Sequence, residues 1–91
     1  MKIYYSNCIS WQLLVDKVYI INEKTKEIHV LADTAKDFWI LIKNNHSLEE
    51  ILKILSDKYS VSIEILENDM YAFKDDLLSK NLIIEGEYCY E

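Results

Sequence analysis

Proline is absent from this chain, and its one glycine is Gly86, close to the C-terminus. Turns must therefore be built from Asn, Asp and Lys, and no Pro/Gly/Ser-rich linker separates a second domain. A glycine-rich phosphate loop is excluded for the same reason. Cysteine is scarce: Cys8 and Cys89 sit near opposite ends and form no CxxC or Cys/His pattern. Two free thiols are expected in a reducing cytosol, with a terminus-to-terminus disulfide as the geometric alternative. No apolar run approaches the roughly 20 residues of a membrane-crossing helix. The first residues, Met1 to Asn7, lack the apolar stretch and cleavage site of a signal peptide, so the cytoplasm is the expected compartment.

Positive charge is also in short supply. Ten Lys and Arg face sixteen Asp and Glu, a net charge of −6. That balance disfavours nucleic acid and anionic membrane surfaces. At 91 residues, 51% of them apolar, the chain has room for one domain, 1–91, around one modest core. Neither a repeat nor a low-complexity segment interrupts it.

What is present reads as strands followed by helices. Ile9 to Val15 is apolar apart from Ser10 and Gln12, Asp16-Lys17 can turn it, and Val18 to Ile21 follows. After the polar stretch Asn22 to Lys26, Glu27-Ile28-His29-Val30-Leu31 alternates with period two. Asp33 or Thr34 can cap a first helix, whose Ala35, Phe38, Trp39 and Ile42 form one apolar stripe. Asp37 stands near its positive end, and Asn44-Asn45 ends it. Ser47-Leu48-Glu49-Glu50 has the form of a capping box for a second helix, closing near Tyr59. Ser62 can cap a third, with Leu66, Met70, Phe73 and Leu77 on one face and Asn81 in the left-handed position beyond it. Leu82-Ile83-Ile84 returns as a short strand or wing edge. The expected fold is α+β and winged-helix-like: a three-stranded antiparallel sheet, then three helices.

Chemistry is hard to find in this pattern. His29 and His46 lie in different segments without a partner at ligand spacing, and each reads as packing or solvent-facing. Glu49-Glu50 and Asp75-Asp76 read as solvated helix faces. No catalytic residue, metal site or cofactor is expected, and the chain reads as a binding protein rather than an enzyme.

Taken in order, these segments resemble the PqqD-like family of small peptide-recognition elements. Lys26 to Leu31, then Thr34-Ala35 and Phe38-Trp39, resemble the family's strand and first helix. Ser47 to Ile51 and Tyr59 to Ser62 resemble its second helix and connection. Asp69-Met70, Phe73, Leu77 and Asn81-Leu82-Ile83 resemble its third helix and exit. Ala32, Lys74 and Asn81 depart from the family pattern. The resemblance covers about residues 9–85. It implies a non-catalytic module that binds the leader of a ribosomally made precursor peptide and presents it to a modifying enzyme. A radical SAM enzyme or a lasso-peptide protease or cyclase would be the partner, and a weak homodimer is also allowed.

Strand addition would be the mode of binding. The strand Lys26, Glu27, Ile28, His29, Val30, Leu31 would offer unpaired main-chain groups at a sheet edge. Asp69, Met70, Phe73, Lys74 and Leu77 of the third helix would form the opposite wall, although Met70, Phe73 and Leu77 equally suit a core. Alternation puts Ile28 and Val30 on one face and Glu27, His29 and Leu31 on the other; which set meets the peptide is open at this level. The alternatives are a winged-helix DNA-binding protein and an enzyme-docking subunit that binds no leader. Electrostatics separates the first of these. Glu64, Glu67, Asp69, Asp75 and Asp76 outnumber Lys74 and Lys80 on the third helix, where a DNA reader needs cations. Labelled random-sequence duplex at about 150 mM salt should therefore show no micromolar complex by fluorescence anisotropy; one that weakens steeply with added salt would restore the DNA reading.

Overall fold

The computed structural model describes residues 2–44 and 47–86. Its elements are β1 (Lys2–Tyr5), β2 (Ile9–Leu14), β3 (Lys17–Asn22), β4 (Ile28–Ala32), α1 (Asp33–Ile42), α2 (Leu48–Tyr59), α3 (Ile63–Ser79) and β5 (Ile83–Gly86). Strands β2, β3 and β4 form an antiparallel sheet in that order, ahead of three helices, as the periodicity predicts. Two features add to that expectation. β1 was not anticipated, and it pairs with β5 in a separate two-stranded sheet, Lys2 opposite Gly86. Four residues carry little strand signal by themselves; β1 is held by its pairing with β5.

Aromatic packing locks this second sheet to the first helix. The Tyr5 hydroxyl donates to the Trp39 carbonyl at 2.6 Å, and the two rings lie 4.8 Å apart. Burial pushes the Tyr5 phenol above its ordinary range, so it stays protonated. Trp11 meets Trp39 edge-on at 6.0 Å, bringing β2 into the same cluster. Around it Val18, Ile20, Phe38, Ile51, Leu55 and Leu77 are fully or nearly fully buried. Each such aliphatic or aromatic side chain contributes about 1.5–3 kcal/mol relative to exposure.

Several cap expectations need correcting. Ala32, not Asp33 or Thr34, is the N-cap of α1, and no side chain caps that helix. Ser47 is the N-cap of α2, but its hydroxyl donates to Glu49 at 2.8 Å and closes no capping box with Glu50. Ser62 does cap α3, accepting from the Ile65 N–H. Ser60 and Asn81, at φ 55 and 62, supply the left-handed exits that glycine usually provides. His46, Asn45 and Cys89 lie outside the described residues, so the pairing of Cys8 with Cys89 does too.

The β3–β4 turn is organised by Asn22, which is only 5% exposed. Its N–H donates to the Glu27 carbonyl at 2.9 Å, and its carbonyl accepts from the Lys26 N–H at 2.7 Å. Its Oδ1 accepts from the N–H groups of Lys24 and Thr25 at 2.9 and 3.1 Å. Lys26, at φ 68, takes the left-handed place of a bulge that sets two residues against one. Lys26 and Glu27 thus belong to the turn, and the third strand of the sequence reading begins at Ile28. Asn22→Ala strips the side-chain acceptor from two amides and should cost about 1–2 kcal/mol in urea unfolding. A loss below about 0.3 kcal/mol would show that water replaces it freely.

Candidate functional site

Among the described residues β4 is an edge strand, paired with β3 on one side only. The Asn22–Glu27 bond sets the phase of the ladder. Ile20 lies opposite His29 and Val18 opposite Leu31, two and four residues along from Asn22 on β3. Hydrogen-bonded pairs recur at every second residue of an antiparallel ladder. His29 and Leu31 therefore spend their main-chain groups on β3, while Ile28 and Val30 turn theirs outward. The Glu23 N–H, donating to the Cys8 carbonyl at 2.8 Å, sets the same phase on the β2 side. The main-chain groups of both Ile28 and Val30 thus lie along the side of β4 away from β3.

Side chains follow the same alternation. Val18 and Ile20 point into the core, so Leu31 and His29 share their face and are half-buried. Ile28 and Val30, 63% and 50% exposed, lie on the opposite, outer face. A strand added to β4 would thus send alternate side chains toward the helices and toward the outer face. His29 Nε2 is buried without a hydrogen bond among the described residues; the Glu27 carboxylate, at 3.9 Å, is within ion-pair range only.

On the helical side a cavity of about 340 Å³ is lined by Thr34, Tyr59, Val61, Ile65, Leu66, Asp69 and Met70. Thr34 stands two residues past the end of β4, which ties the cavity to that end of the edge strand. Of the α3 residues expected at the site, Asp69 and Met70 line this cavity and the other three do not. Phe73 packs edge-on against Phe38 at 5.4 Å, and Leu77 is buried in the core. Lys74 pairs with Glu85 of β5 at 2.9 Å, which holds its ammonium above the ordinary lysine range. Ile65, Leu66, Tyr59 and Val61 were not singled out as site residues. Ile65 had a usable signal, being a large apolar residue off the α3 core stripe and exposed.

Tyr59 is itself held in place. Its hydroxyl donates to Asp37 Oδ2, and the Lys58 ammonium lies 3.0 Å from the same carboxylate. Asp37, with a side chain 12% exposed, thereby joins α1 to the end of α2 beside the cavity. Partial burial pushes the Asp37 carboxyl upward. The Tyr59 hydroxyl and the Lys58 ammonium together outweigh this and hold it below its ordinary value.

Comparison with known proteins gives a family and a fold. The profile of the family described as coenzyme PQQ synthesis protein D (PqqD) matches residues 17–83. No curated protein matches the chain. A solved structure of TbiB1 in complex with the TbiA(beta) leader peptide is similar over 99% of this chain and 100% of that one. Its TM-score is 0.84 and its sequence identity 24%. The likeness shows the same fold.

The Asp37 cluster makes a pH prediction with a definite sign. Its folded-state pKa is depressed, so its contribution is complete above the unfolded carboxyl value near pH 4 and is lost as pH falls through the lower folded value. Asp37→Asn should be less stable than the parent at pH 7, with the gap closing toward pH 3. Urea midpoints across that range test this; a gap that stays constant or widens on acidification would remove the assigned role.

Proposed function

The chain belongs to the PqqD family, and on that premise we propose that it is a non-catalytic module that binds the leader of a ribosomally made precursor. The observation that carries this reading is the free edge of β4. Ile28 and Val30 turn their main-chain groups outward, and an apolar cavity on α3 lies off the end of that strand. An extended peptide added there gains hydrogen bonds worth on the order of 1 kcal/mol each, and a side chain in the cavity adds a buried anchor. TbiB1, which shares this fold, was solved in complex with a leader peptide, which supports a leader peptide as the ligand.

The cavity describes the leader it would take. Val61, Ile65, Leu66 and Met70 call for an apolar anchor, and Asp69 at the rim favours a Lys or Arg beside it. Phe73 and Leu77 support the wall from behind rather than touching the peptide. Lys26 and Glu27 would flank the start of the paired segment. The module would hold its precursor for a separate modifying enzyme in the cytoplasm, of the radical SAM or lasso-peptide protease and cyclase kinds.

The test is backbone-specific. Ile28→Pro and Val30→Pro each remove an outward donor without breaking a bond to β3, so both variants should fold. Calorimetry with the leader of the precursor encoded beside this gene should show each weakened by roughly tenfold or more. If both folded variants bound like the parent, strand addition at β4 would be wrong. If the parent bound no leader while still engaging the enzyme, the docking-subunit reading would replace this one.

A further inference from the structure

An antiparallel sheet with one face in water ordinarily alternates apolar inward and polar outward. The β2–β3–β4 sheet does not. Its inner face carries Val18 and Ile20 into the core, yet its outer face also presents Leu14, Ile21, Ile28 and Val30 to solvent, with half-buried Tyr19 among them. A shallow cavity of about 290 Å³ lies on this face, lined by Leu14, Tyr19, Ile21 and Ile28 together with Ser10, Trp11 and Gln12 of β2. The register accounts for the continuity of the patch: Tyr19 is opposite Val30, and Ile21 is opposite Ile28. A contiguous apolar surface of this kind marks an interaction site.

Charge decides what covers it. Residues 9–32 carry Lys17, Lys24 and Lys26 against Asp16, Glu23 and Glu27, and are neutral. Residues 33–86 carry eleven carboxylates against six lysines, a balance of −5. Among the described residues the net acidity thus lies in the segment from α1 to β5, and the segment that forms the sheet carries no net charge. Two copies meeting through any helical surface would press like charges together. Two copies meeting sheet to sheet would bury their apolar faces with the acidic helices held on the far sides.

We propose that the outer face of the β2–β3–β4 sheet is a self-association surface, on which a second copy of this chain packs face to face about a two-fold axis. Sheets stacked in this way lie about 10 Å apart with interleaved side chains, and the contact is isologous, Leu14, Tyr19, Ile21, Ile28 and Val30 of each copy facing the same set. The dimer is weak. Three strands at about 4.8 Å spacing and about six residues at about 3.4 Å give a planar face of roughly 300 Å². That falls well short of the roughly 800 Å² that each partner buries in a standard stable interface. The contact uses side chains and leaves the outward main-chain groups of β4 free, so it does not depend on the leader-binding reading and does not compete with it.

Sedimentation equilibrium of the full chain from about 10 µM to 1 mM tests the proposal. The average mass should rise from 10.8 kDa toward twice that value. Ile21→Asp, on the central strand and away from the β4 edge, should raise the dissociation constant by more than fivefold; Leu14→Glu provides the same readout should Ile21→Asp not fold. A monomer throughout the range overturns the proposal. So does a dimer that the acidic variants shift by less than fivefold, since that result would place the contact away from this face, at the β4 edge or on the helices.

Discussion

Asn22 sets the geometry on which the β4 edge depends. Its main chain closes the bulge with Lys26 and Glu27, and its side chain holds the amides of Lys24 and Thr25. Because an antiparallel ladder repeats every two residues, that one junction decides which residues of β4 bond to β3. A slip of one residue would exchange the two sets. His29 and Leu31 would then face outward, and Ile28 and Val30 would be driven into the core.

From that register the two sides of the sheet take different tasks. The inner face closes the core and, past the end of β4, opens into the cavity between Thr34 and α3. The edge presents hydrogen-bonding groups, and the outer face presents apolar side chains with no net charge around them. Main-chain pairing supplies affinity without reading sequence, whereas the cavity and Asp69 would supply selectivity. The helical layer is where the acidity resides. Lys74 shows how tightly some of it is compensated: it lies over the Tyr71 ring at 5.2 Å and is paired with Glu85. It therefore joins α3 to β5.

Much of this was legible from residue order. Short apolar runs marked β2 and β3, period-two alternation marked β4, and the stripe Leu66, Met70, Phe73 and Leu77 marked α3; Ser62 and Asn81 announced its ends. These signals are local, and each depends on neighbours a few residues apart. The misses were of two kinds. β1 has too few residues to signal a strand and relies on a partner at the other end of the chain. The expected caps offered the right chemistry, yet neither Asp33 nor Thr34 caps α1, whose N-cap is Ala32, and the Ser47 hydroxyl bonds to Glu49 rather than closing a box with Glu50.

The sequence by itself therefore determined the class of fold, the acidic character that argues against DNA, and the segment that could serve as an edge. Composition and periodicity carry that information because each residue's preference for strand, helix or solvent is intrinsic. Only the tertiary structure decided which main-chain groups point outward, and which α3 residues meet the cavity rather than Phe38, the core or Glu85. Only there, too, does the neutral apolar face separate from the acidic helices. Those properties arise from the phase of a ladder and the rotation of a helix about its axis, and both are set by contacts between residues far apart in the chain.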